Sequence, residues 1–219
     1  MITQVSVPTR VGRSVLAALG TLSLSAAVLT APAHAADTGL FGTQDATYDG
    51  VYRQSLAVAG LAAADARIPA AAVDWLLDQQ CADGSFEAFR PNTSTPCSPS
   101  DPKNFSGPDT NSTSMAAIAL YLAGRTAPAR DAIVWLNDVQ NDDWGFPFHS
   151  GGASDANSTA LSVMALQTVQ PQDRSGRVPN AQKWLGTLKL KCASGGGLAY
   201  QKGSKANGLA SAQGLMGLA

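Results

Sequence analysis

Charge is what this chain of 219 residues has least of: Lys, Arg, Asp and Glu make up 14%, balance to a net −1, and nowhere form a run of one sign. A nucleic-acid binder shows a basic surplus, and a disordered acidic or basic tail shows a block of like charge. Both classes are excluded, so no nucleic-acid partner is expected. Histidine is nearly absent too. His149, the one histidine outside the first 36 residues, stands in a Gly/Ser-rich turn and reads as a surface residue, because a lone imidazole is not a metal donor set. No metal or cofactor is expected. A phosphate loop and a nucleophile-elbow serine are also missing: Gly151-Gly152 and Gly195-Gly196-Gly197 lack the flanking strand that both motifs need. What remains is apolar and small, a chain that expects to be covered by more of itself.

Residues 1–35 read as a targeting segment. Arg10 and Arg13 form a positive start, an apolar stretch follows from Ser14 to Thr30, and Ala33-His34-Ala35 is a small-x-small cleavage pattern. Gly20, Ser23 and Ser25 interrupt the stretch and no second basic flank stops transfer, so a signal peptide is favoured over a membrane anchor. A twin-arginine pair is absent, which points to general secretion. The expected location is outside the cell or in its wall, with no membrane span after cleavage. In that compartment disulfides persist. Cys81 and Cys97 bracket a Pro/Ser/Thr-rich loop and are the favoured pair, a closure worth about 3 kcal/mol. Cys192 is left over.

Self-similarity organises the rest. Trp75-Leu76 is followed by Gln80, Gly84 and Phe86; Trp135-Leu136 is followed by Gln140, Gly145 and Phe146. Trp-to-Gln and Gln-to-Phe spacings agree between the copies. Trp184-Leu185 opens a third copy, with Lys189 in the Gln position and Gly195-Gly196-Gly197 and Tyr200 replacing the glycine–aromatic end. Downstream of each comes a second unit: Asp109-Thr110-Asn111-Ser112-Thr113, then Asp155-Ala156-Asn157-Ser158-Thr159, then a weaker version at Asn207.

Each copy reads as two helices. The spacing predicts helices near 49–64, 69–80, 127–140, 156–169, 178–189 and 206–219, with another after Asp109 or Asn111 carrying Met115, Ile118, Ala119 and Leu122 at a period near 3.6. The second helix of each pair is apolar nearly all round and rich in alanine, so it belongs inside; the Trp-bearing helices keep a solvated face with Asp78, Asp131 and Lys183. An all-α fold with an inner and an outer layer follows.

The pattern Trp-Leu-x3-Gln-x3-Gly-x-Phe at Trp75–Phe86, with the Asp-x-Asn-Ser helix start behind it, resembles the repeat of the terpenoid cyclase and protein prenyltransferase superfamily, which also includes cobalamin carriers. The resemblance covers roughly residues 39–219 and implies an α/α toroid: helical hairpins in a double ring around a cavity. Such rings close with about a dozen helices, and seven are counted here, so an incomplete ring over 36–219 is expected, with bare apolar flanks open to self-association. The resemblance further implies that Gln80 and Gln140 brace neighbouring backbone rather than react.

The superfamily's chemistry is harder to find. Protonation-type cyclisation needs an Asp-x-Asp-Asp acid string, ionisation-type cyclisation an Asp-rich Mg²⁺ site, and prenyl transfer a zinc-bound thiol; none is visible, and Asp142-Asp143 reads as a solvated turn. The connectors 83–109, 141–155 and 191–206 all join an outer helix to an inner one and must cluster at one end. There Phe86, Trp144, Phe146, Phe148 and Tyr200 would meet Asp109, Asn111, Asp155, Asn157 and Asn207 as a ligand mouth. The competing reading makes these Asp and Asn helix caps, favoured for Asn111 and Asn157 because they recur at one phase. The leading expectation is a non-catalytic toroid binding a small organic ligand or a cell-envelope partner. The alternatives are an enzyme whose catalytic residues lie in a further C-terminal half, and a carrier of the cobalamin type.

Overall fold

The computed structural model describes residues 39–42 and 50–219; the signal-peptide reading of 1–35 lies outside them. The described residues carry seven α-helices: α1 (Val51–Ala63), α2 (Ala70–Gln79), α3 (Thr110–Leu122), α4 (Thr126–Val139), α5 (Ala156–Val169), α6 (Arg177–Gly186) and α7 (Gly208–Leu218), with one short 3₁₀ turn at Cys192–Ser194. Among the described residues no strand is formed, only isolated bridges within and between connectors. None of the described helices is long and apolar enough to cross a membrane.

The helices form two layers. α1, α3, α5 and α7 pack side by side in that order, and α2, α4 and α6 each lie against two inner helices. The division follows composition. In α3, Ala116, Ala117, Ala119 and Leu120 are fully buried, and in α5 so are Ala160, Val163, Ala165 and Leu166; a helix apolar on every face is stable only when neighbours cover it. Small side chains also allow close approach. At Gly217 of α7 an added Cβ would lie 2.7 Å from the Ala160 Cα of α5. The outer helix α4 has one wet face instead: Ile133 and Leu136 point in, while Asp131, Val134 and Asp138 are exposed. Each fully buried leucine or isoleucine contributes about 1.5–3 kcal/mol. These buried side chains hold the layers together.

Most boundaries move from the expectation by one or two residues, and the end of α6 moves by three. The inner helix α1 begins at Val51, and α6 stops at Gly186 rather than 189. Thr187, Leu188 and Lys189 instead donate to the carbonyls three residues back, the tighter turn with which many helices end. On α7, Leu209 and Leu215 are each 63% exposed and Met216 is 54% exposed. Cys81 and Cys97 are joined in a disulfide and Cys192 is free and exposed, as the loop composition indicates.

Candidate functional site at the connector end

The connectors after α2, α4 and α6 are laced to the starts of the inner helices by one repeated set of bonds. Phe86, Phe146 and Leu198 each receive on their carbonyl the N–H of a capping residue, Asp109, Asp155 and Asn207, at 3.0 Å in all three cases. Their own N–H groups donate to a hydroxyl four residues beyond that cap: Thr113 Oγ1 at 3.0 Å, Thr159 Oγ1 at 2.9 Å and Ser211 Oγ at 2.9 Å. Two residues further along, each connector reaches the preceding inner helix. Val51 donates to the Ala88 carbonyl at 2.8 Å, Thr110 to Phe148 at 2.8 Å and Ala156 to Tyr200 at 2.9 Å. Orphan donors at the helix starts are thereby satisfied.

This lacing corrects the third copy. Leu198, not Tyr200, stands where Phe86 and Phe146 stand; the glycine-rich insertion displaces the aromatic by two positions. It also moves Phe86 and Phe146 from a ligand wall into the core, because both are fully buried. A ligand cannot touch them.

The caps are the aspartates. Asp109 Oδ1 accepts from Ser112 N–H, Asp155 Oδ1 from Ser158 N–H, and Asn207 Oδ1 from Ala210 N–H, each at 2.8 Å. Asn111 and Asn157 therefore do not cap; they sit at the second helical position. Burial pushes the Asp109 carboxyl above its ordinary value, opposed by the Ser112 bonds. Asp155 is raised in the same way, by burial against the Ser158 bonds. Tyr200, whose hydroxyl bonds Asp155, is pushed up to about 12 by burial and by that carboxylate.

A raised carboxyl means that the folded chain holds its proton to higher pH than the unfolded chain. The resulting stabilisation is complete below the ordinary aspartate value of 3.8 and is lost as pH rises through the raised one. Asp109→Asn keeps a capping oxygen and does not titrate, so its stability relative to the parent is expected to rise from pH 4 to pH 7. Asp109→Ala loses the cap and about 1 kcal/mol. Urea midpoints across that interval check both; a stability of Asp109→Asn relative to the parent that falls with pH would contradict the raised carboxyl.

Both repeat glutamines hydrogen-bond backbone carbonyls. Gln80 Nε2 donates to the Gly84 carbonyl at 3.0 Å and across to Pro128 of α4 at 2.9 Å. Gln140 Nε2 donates to the Trp144 carbonyl at 3.0 Å, and its Oε1 accepts from Arg177 Nη1 of α6 at 2.9 Å. Trp144 lines a cleft at the start of α6 and is not brought together with Asn111 or Asn157. His149 is corrected as well. It is buried rather than a surface residue, its Nδ1 lies 3.1 Å from the Pro108 carbonyl, and its Nε2 has no hydrogen-bond partner. A carbonyl only accepts, so Nδ1 carries the proton.

Two residues outside the expected mouth are bonded to one of its candidates. Asn157 Nδ2 donates to Gln213 Oε1, and Gln213 Nε2 donates to the Tyr52 hydroxyl at 3.2 Å, so one polar chain joins α5, α7 and α1. Burial raises the Tyr52 phenol, against the Gln213 bond. On α3, which packs between α1 and α5, Asn111 Oδ1 is buried and makes no hydrogen bond. Tyr52, Asn157 and Gln213 thus form one bonded polar set, and Asn111 holds the matching position on α3. Tyr52, Asn111 and Asn157 share the second position of their helices, a phase the sequence displays. Gln213 lies one turn deeper in α7, and no repeat position announces it.

No protein-family model and no curated protein matches the chain. Solved structures do. The chain is similar to a protein geranylgeranyltransferase-I of Candida albicans complexed with GGPP, at 16% identity and a TM-score of 0.58 over 78% of this chain and 48% of that one. It is also similar to an ent-copalyl diphosphate synthase from Streptomyces platensis, at 18% identity and a TM-score of 0.50 over 84% of this chain and 36% of that one. At such identities the shared property is the fold alone: helical hairpins in two layers. The chain spans about half the length of the first neighbour and about a third of the second.

Proposed function

We propose that the chain is an exported helical-repeat protein of the toroid type that binds an organic ligand or an envelope partner at the connector end without transforming it. Support for export comes from Arg10, Arg13, the apolar stretch and the Ala33-His34-Ala35 pattern, and places the working domain at 36–219. Support for binding is the polar set on the inner helices, above all the Asn111 oxygen that is buried without a partner. An unmet buried acceptor costs about 1–3 kcal/mol, and a ligand hydroxyl or amide would recover it. The exposed leucines of α7 support a further role in self-association.

The neighbour solved with GGPP supplies both a probe and the rival reading, an enzyme with further residues to come. Titrating the full chain with geranylgeraniol, which carries the same prenyl chain and a hydroxyl able to donate to Asn111 Oδ1, and following intrinsic fluorescence is expected to show saturable binding, weakened about tenfold by Asn111→Leu, while GGPP incubated with the chain is recovered unchanged. Conversion of GGPP would favour the enzyme. Absence of saturable binding would remove the inner-helix polar set as a site for this ligand class.

A further inference from the structure

The two well-matched repeats differ at the residue two before the buried phenylalanine, and that difference opens a cleft. In the first, Gly84 takes a left-handed backbone, φ +89°, and lies so close to α4 that an added Cβ would be 2.4 Å from the Asp131 carbonyl oxygen. Gln80 ties that loop to the Pro128 carbonyl of the same helix. In the second, the residue two before the buried phenylalanine is Trp144. It also has a left-handed backbone, φ +71°, which a bulky side chain rarely adopts. A tryptophan cannot press onto the next helix as Gly84 does, and it is 43% exposed.

The next helix adapts. Arg177 stands seven residues before Trp184, as Pro128 stands before Trp135. Its Nη1 donates to Gln140 Oε1 at 2.9 Å and to the Asn137 carbonyl at 3.0 Å. Between loop and helix lies a cavity of about 310 Å³ lined by Gln140, Asn141, Asp142, Trp144, Ser175 and Arg177. One aromatic face is present, and everything else is amide, hydroxyl, carboxylate or guanidinium. Strained backbone that holds a large ring at a surface points to use of the ring.

We propose that this cleft is a carbohydrate subsite that holds one neutral hexopyranose unit of a glycan. A pyranose has a C–H face that lies on a flat aromatic ring and a rim of hydroxyls that both donate and accept. Trp144 offers the ring. Asp142 and the Asn141 Oδ1 offer acceptors, since Asn141 uses its Nδ2 on Gly152 and Ser154. Arg177 offers the N–H groups not engaged by Asn137 and Gln140. A peptide side chain would want apolar walls, and only one is provided. The opposed charges of Asp142 and Arg177 disfavour an ionic ligand. The site is separate from the inner-helix polar set and does not depend on what binds there.

Isothermal titration of the full chain with cellotetraose, chitotetraose, mannotetraose and maltotetraose tests it. At least one is expected to bind with Kd below about 5 mM. Trp144→Gly restores the residue of the sister loop, so that variant is expected to melt at or above the parent temperature while losing at least tenfold in affinity. Trp144→Phe should keep part of the binding, and Arg177→Ala should weaken it. Absence of binding by all four sugars, or equal binding by a folded Trp144→Gly, overturns the proposal. So does binding of a tri-tryptophan peptide in place of the sugars.

Discussion

Phe146→Ala will lower the free energy of unfolding by about 3–5 kcal/mol. The ring is fully buried in the cluster that contains Leu136, Leu161 and Leu166, and its backbone is held at both ends, by Thr159 Oγ1 and by Asp155 N–H. With the backbone pinned, the loop cannot collapse into the space the ring leaves, so the cost falls at the high end of such truncations. Urea denaturation of parent and variant measures it. A loss below 1 kcal/mol would mean that the connector relaxes freely, and the lacing would then lose its rigidity.

Gly84→Val is the second large effect, about 4 kcal/mol, and its cause is different. A β-branched side chain would have to adopt the left-handed backbone of Gly84 and also displace the Asp131 carbonyl oxygen 2.4 Å away. The loop would leave α4 and release the Gln80 bond to Pro128. At Gly151, also left-handed but with nothing within 4 Å, the same substitution meets the backbone penalty alone, about 1–3 kcal/mol. Comparing the two melting curves separates crowding from conformation; equal losses would show that the contact with α4 is unimportant.

The fold was legible because its two signals are periodic. The alanine-rich run after Asp109 and the Trp–Gln spacing each repeat, and every described helix falls within a few residues of its expected place. The site was less legible, and the reasons lie in particular residues. Phe86 and Phe146 were readable as aromatics near polar groups, but whether a ring beside a turn faces a cavity or the core depends on the hydroxyls of Thr113 and Thr159, which draw the connector inward. Tyr200 aligned with them by type, while Leu198 aligned by backbone, because three extra residues lengthen that loop. Asn111 and Asn157 recur at one phase, which suggested capping; the cap oxygen has to come from the non-helical residue before the helix, and that residue is Asp109 or Asp155. Counting from Gln140 and Phe146 sets Trp144 against Gly84, but by residue type Gly145 looks like the match, and the left-handed backbone that Gly84 and Trp144 share decides between them.

The bonds from Val51 to Ala88, Thr110 to Phe148 and Ala156 to Tyr200 all run from an earlier hairpin to a later one. Order in this array is therefore borrowed forward: a hairpin emerging during synthesis is not finished until its successor has been made. Amide exchange at Val51, Thr110 and Ala156 should then report the integrity of the hairpin that follows, so damage near Tyr200 will be felt first at the head of α5, and only later along the line.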